Sequence, residues 1–178
     1  MSVFSQRAPS WLLWSLAVAV VLLDWITKRW ALVHLSQREP LDLLGEFLRL
    51  SFTRNTGVAF GLFADLELPL GWVSLAALAI VFWLALRSGT KDSSRAVSLG
   101  LILGGAAGNL IDRVRWGSVV DFIDVGLGAL RWPVFNVADS AITIGVCLWA
   151  LRLFLPHPTP ATRDTLSDVE TASHGGGA

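Results

Sequence analysis

Long apolar runs alternate with polar stretches along the 178-residue chain, and four of the runs are long enough to be membrane spans. A helix crosses the hydrocarbon layer with roughly 20 mostly apolar residues. The first run covers residues 11–33; it is unbroken up to Leu23 and then meets Asp24, Lys28 and Arg29. The second covers 68–86 and carries no charge. The third covers 96–112 and ends on Asp112. The fourth reads as a span over 134–155, with Asn136 and Asp139 near its start. Backbone groups find no water in hydrocarbon, so these runs are predicted to be helices. Arg7 followed by an apolar core is a signal-peptide pattern, but the core continues into Asp24-Trp25 without a small-x-small cleavage site. It therefore reads as an uncleaved first span.

Residues 40–65 form a polar stretch with a pattern of their own. Leu48, Leu50 and Phe52 alternate with Arg49, Ser51 and Thr53, the period of a half-buried strand. Arg54-Asn55-Thr56-Gly57 reads as a turn and residues 58–63 as a second short strand. The expectation is a strand-rich platform lying on the membrane, its apolar side chains at headgroup level. Residues 87–95 form a short polar loop with Arg87, Lys91 and Arg95, placed in the cytoplasm on its compact basic character. The raw count of basic residues on the two sides, six against eight, does not itself support that orientation. An even number of spans puts both termini on one side. Residues 1–155 are expected to form one membrane-embedded domain. The Pro-, Ser-, Thr- and Gly-rich tail 156–178 is expected to be disordered.

Composition agrees with a membrane protein and removes other classes. The chain is 53% hydrophobic and 16% charged, where soluble domains are about 25% charged. Lys plus Arg equals Asp plus Glu at 14 each, which lacks the basic excess of a nucleic-acid binder. A single cysteine, Cys147, excludes an internal disulfide and any multi-cysteine zinc site. His34, His157 and His174 are scattered without ligand spacing, so no metal or other cofactor is expected.

Ionisable residues at membrane depth are costly and mark function by default. Asn109, Asp112 and Arg113 share one face at the end of the third span. Asp112 and Arg113 also read as an interfacial ion pair. Gly100, Gly104 and Gly108 repeat every four residues, a ridge that lets another helix approach. Asn136, Asp139, Ser140 and Thr143 share a face of the fourth span, where Asn136 can cap the helix. Between these spans Asp121 is flanked by large apolar residues, which predicts desolvation and a raised pKa. Asp124 has the same sequence logic, and spacing does not choose between the two. One carboxylate from this loop and one from the fourth span can share a site. The ionised member activates water, and the neutral one protonates a carbonyl oxygen or a leaving amine. No Gly-x-Ser-x-Gly or His-Glu-x-x-His motif offers a competing chemistry, and Cys147 has no base nearby in sequence.

Five separated blocks now stand in order: Asp24-Trp25-Ile26-Thr27-Lys28; Asn55-Thr56-Gly57-Val58-Ala59-Phe60-Gly61; Gly104 through Arg113; Val119-Val120-Asp121-Phe122; and Phe135-Asn136-Val137-Ala138-Asp139. In these the chain resembles the lipoprotein signal peptidases (signal peptidase II), bacterial membrane aspartyl peptidases. The resemblance implies an all-α integral membrane protein with four transmembrane helices, plus a small strand-rich platform at the outer membrane surface. It implies Asp121 and Asp139 as the catalytic pair, with Asn55, Asn109, Arg113 and Asn136 lining the site. Asp24, Lys28 and Asp112 are expected to be structural polar residues. Trp25 stands where the family often has Gln. The implied substrate is a prolipoprotein cleaved just before its diacylglyceryl-modified cysteine. The implied setting is the cytoplasmic (inner) membrane, with both termini in the cytoplasm and the site near the outer face. No cofactor is implied, and the expected partners are substrate and membrane lipid, the protein itself being a monomer. A proton-coupled transporter would instead show inverted repeats and broken helices. A scaffold built on the glycine ridge would leave Asn109, Asp112, Asn136 and Asp139 without purpose.

Overall fold

A computed structural model describes residues 10–56, 70–87 and 93–154. In chain order they form α1 (Ser10–His34), β1 (Leu41–Leu44), β2 (Leu48–Asn55), α2 (Leu70–Arg87), α3 (Ser93–Trp116), β3 (Val119–Leu127), β4 (Leu130–Arg131) and α4 (Val137–Phe154). The expected strand at 58–63 and the tail 156–178 lie outside the described residues.

α3 is the central helix and packs against α1, α2 and α4. The glycine ridge explains how. Gly100 meets Leu13, Gly104 meets Ala17 and Gly108 meets Asp24, so α1 and α3 run side by side in the same direction. A Cβ on Gly104 would stand 2.7 Å from both the Ala17 carbonyl oxygen and the Val20 Cβ. Only glycine lets the two backbones come that close. Gly105 faces Ala138 and Ser98 faces Gly145, which sets α4 antiparallel to α3.

Outward faces of the helices carry large exposed apolar side chains, among them Val18 and Leu22 on α1, Ile80 on α2, and Ile144 and Leu151 on α4. Apolar surface on this scale belongs against lipid rather than water. Residues Trp11–His34 and Ser93–Trp116 are each long and apolar enough to cross a membrane, while α2 and α4 have 18 residues apiece.

The four strands form one antiparallel sheet in the order β1-β2-β3-β4. One sequence expectation changes here: Asp121 lies in a strand, not a loop. The strand at Leu48–Asn55 pairs with β1 and β3. Residues Val119–Phe122 are all buried, so no polar alternation signals the strand. Burial of both faces hides it, with Asp121 buried among its apolar neighbours. Ala31 and Leu35 of α1 pack with Val120 and Phe122 beneath the sheet, fixing it to one end of the helices.

Candidate active site

Asn136 stands immediately before α4 and caps it. Its Oδ1 accepts from the Asp139 backbone N–H at 2.9 Å, and Asp139 Oδ2 accepts from the Asn136 N–H at 3.3 Å. This reciprocal pair is a capping box in which Asp replaces the usual Glu. It fixes the amide of Asn136 with the oxygen toward the helix and the nitrogen inward. Nδ2 then donates to Asp121 Oδ1 at 2.6 Å. One fully buried asparagine therefore binds both acids. From the other side, Asn55 at the end of β2 donates to Asp121 Oδ2 at 3.0 Å.

Asn109 of α3 holds Asp139. Its Oδ1 accepts from Lys28 Nζ at 2.9 Å and from Asn136 Nδ2 at 3.2 Å, so its own Nδ2 is the end that donates to Asp139 Oδ1, at 2.7 Å. Lys28 is 4% exposed and also pairs with Asp24 at 2.7 Å and Asp112 at 3.1 Å. Those carboxylates reach further still. Asp24 Oδ1 accepts from the Ala138 N–H at the start of α4, at 2.9 Å, and Asp112 Oδ2 accepts from the Val120 N–H at 3.2 Å. The cluster thus ties α1, α3, β3 and α4 together around the two acids.

The ion pair considered between Asp112 and Arg113 is not formed: Asp112 turns inward to Lys28, and Arg113 donates to the Asn109 carbonyl at 3.4 Å. Asp124 is occupied elsewhere, accepting from Arg131 Nε at 2.7 Å. The link from Lys28 through Asn109 to Asp139 was not legible in the sequence. Its only signal was a carboxylate and an amine one turn apart inside an apolar run, Asp24 and Lys28.

Asn55, Asn109, Arg113, Asp121 and Asp139 open on one cavity of about 570 Å³, walled by Trp132, Phe135, Ile142 and Thr143 among others. It joins a polar floor to an apolar side wall. Burial pushes the Asp121 carboxyl up to about 6; the Asn55 amide opposes this and the Asp139 charge adds to it. The folded pKa lies above the ordinary value of 3.8, so the native state holds this proton where the unfolded chain has lost it. The resulting stabilisation is complete at low pH and is lost as pH rises through about 6. Among the described residues no group of three or more His, Cys, Asp or Glu side chains is arranged to hold a metal ion.

Removing Lys28 should be severe. Lys28→Met leaves Asp24 and Asp112 buried without their cation, and breaking a buried pair costs about 3–5 kcal/mol. Thermal unfolding in detergent is expected to show a loss of this size, and an unchanged midpoint would contradict the role given to the cluster.

The chain is similar to known proteins. A family model described as signal peptidase II matches residues 16–155. The chain is 43% identical to the lipoprotein signal peptidase of Chlorobium phaeobacteroides (strain BS1) over 150 residues, spanning 78% of this chain and 94% of that one. It is also 43% identical to the lipoprotein signal peptidase of Aquifex aeolicus (strain VF5) over 157 residues, spanning 85% and 91%. A bacterial membrane enzyme solved by the in meso method at 2.3 Å resolution has a similar fold, with a TM-score of 0.70 and 32% identity over 78% of this chain and 84% of that one. A second, solved at 1.9 Å, gives 0.69 and 30% over 80% and 92%. With a matching family model over most of its length and relatives at this identity, the chain belongs to the signal peptidase II family.

Proposed function

We propose that the protein is an aspartic endopeptidase that removes signal peptides from prolipoproteins, with Asp121 and Asp139 as its catalytic pair. The observation that carries this reading is the asparagine bridge, in which Asn136 donates to the Asp121 carboxylate through its side-chain amide and to the Asp139 carboxylate through its backbone N–H, at the edge of one cavity. Asp121, pushed up to about 6, is the member placed to hold the shared proton, and Asp139 is the base. Asp139 takes a proton from water as its oxygen adds to the scissile carbonyl, and Asp121 gives its proton to the carbonyl oxygen. As the tetrahedral intermediate collapses, the C–N bond breaks and the leaving amine takes up a proton from the pair. Arg113 and Asn55 flank the path of the peptide, one as a planar donor to a carbonyl and one as both donor and acceptor.

The finer reading is a four-span protein of the inner membrane, acting as a monomer. Both termini lie in the cytoplasm, and the sheet lies on the outer surface. α2 and α4, at 18 residues, are each about 27 Å long, close to the hydrocarbon thickness. The substrate is cut just before a diacylglyceryl-modified cysteine, its acyl chains lying beside the apolar wall formed by Ile142 and Ile144. The direct test incubates purified protein with such a precursor and reads the products by mass spectrometry. A fragment beginning at the lipidated cysteine supports the proposal, and an intact precursor defeats it.

The pH profile offers a further check. Asn55 favours the ionised form of Asp121, so Asn55→Ala should raise the Asp121 pKa. With Asp121 as the acid, the alkaline limb of kcat/KM moves to higher pH. A limb that stays in place or moves down would exclude Asp121 from that role.

A further inference from the structure

The seam between α1 and α3 carries a second cavity, and it shares no residue with the one containing the acids. About 400 Å³ in volume, it is lined at the sheet end of the helices by Trp25, Lys28 and Arg29 of α1 and by Asp112, Arg115 and Trp116 of α3. Three cations and one carboxylate line it. Lys28 and Asp112 already pair with each other. Among the described residues neither Arg29 nor Arg115 is in an ion pair, and Trp25 and Trp116 beside them are about half exposed, at 49% and 55%. Two guanidinium groups and two indoles at one level are what the headgroup layer favours.

Along the same seam, toward the other end of the helices, lies an apolar cavity of about 460 Å³. Val18 and Leu22 of α1, Leu75 and Phe82 of α2 and Ala107 of α3 line it. Leu22 precedes Trp25 by three residues, a rise of about 4.5 Å, so the two cavities follow one another almost directly. From Val18 to Arg29 the seam extends about 16 Å, the scale of an acyl chain with its headgroup. A cationic mouth at the interface above an apolar slot within the span matches the shape and charge of one kind of molecule.

We propose that the α1–α3 seam binds an anionic glycerophospholipid. Its phosphate sits between Arg29 and Arg115, and one acyl chain lies in the cavity between α1, α2 and α3. Guanidinium groups bind phosphate oxygens through paired N–H donors, and two of them on separate helices fix the headgroup at the seam. The two unneutralised charges select an anionic lipid over a zwitterionic one. This rests on the reading that the sheet end of the helices lies at a membrane surface.

The test is native mass spectrometry of the full chain, released from micelles holding equal phosphatidylglycerol and phosphatidylcholine. The protein should retain one phosphatidylglycerol with roughly tenfold preference, and Arg29→Gln with Arg115→Gln should abolish the preference. Cleavage of a lipidated precursor is measured on the same protein preparations in phosphatidylcholine micelles and should change less than twofold between wild type and the double variant. Lost selectivity with cleavage intact separates this site from the peptidase site, whereas wild-type protein that selects lipid without cleaving would count against the peptidase reading alone. Equal retention of the two lipids by the wild type overturns the proposal. So does undiminished selectivity in the double variant, or displacement of the lipid by millimolar inorganic phosphate, which would mark a free-anion site.

Discussion

Asp121→Asn and Asp139→Asn are each expected to lower kcat by about a thousandfold or more while the protein remains folded. Asparagine keeps the size and part of the hydrogen bonding of each side chain but neither gives nor takes the proton. Folding should survive for a specific reason. Asp121 is met by amides from Asn55 and Asn136, and an amide there can still accept through its oxygen. Asp139→Asn likewise keeps an oxygen for the Asn109 amide. Asp124→Asn, which weakens only the contact to Arg131, should retain most of the activity. Substantial turnover by either of the first two variants, with thermal unfolding unchanged, would refute the assignment.

Removing the diacylglyceryl group from an otherwise identical precursor should lower kcat/KM by orders of magnitude. An acyl chain contributes about 0.8 kcal/mol of membrane affinity per buried methylene, so the lipidated peptide is already concentrated in the layer that contains the site. The cavity adds position to concentration, because Ile142 and Ile144 line the same space as the acids. Acyl chains held against that wall would set the scissile bond relative to Asp121 and Asp139. A transmembrane anchor on the same peptide should therefore fail to restore the rate. Equal cleavage of lipidated and unlipidated precursors in one detergent would sink the idea.

Much of this is legible in the sequence. Length and hydropathy mark the helices, of which α1 and α3 are each long and apolar enough to cross a membrane, and Gly100, Gly104 and Gly108 announced a close helix contact that α1 fills. The capping role of Asn136 was readable from its place before an apolar run. The pairing of β2 was not, because strand partners are set by contacts between residues far apart in sequence. Thr53 meets Asp121, and nothing local to either says so. Asp121 and Asp124 look alike along the chain and separate only in three dimensions. One faces two asparagines, and the other an arginine seven residues on. The same limit concealed Lys28. Its pair with Asp24 is local, one helical turn away, whereas its reach to Asp112 and Asn109 needed the packing of α1 on α3.

That packing bears on biogenesis. Asp24 and Lys28 lie one turn apart and neutralise one another along α1 alone, so the helix can enter the bilayer with these two charges already compensated. The remaining bonding capacity of the pair is then satisfied only by Asp112 and Asn109 of α3 and by the first turn of α4. A nascent chain that has inserted α1 but not yet α3 thus carries an incompletely satisfied polar couple in lipid. This couple draws the later helices to one register. Asn109 receives Lys28 at one end of its amide and holds Asp139 at the other, so the contact that joins α1 to α3 also seats the side chain that holds Asp139.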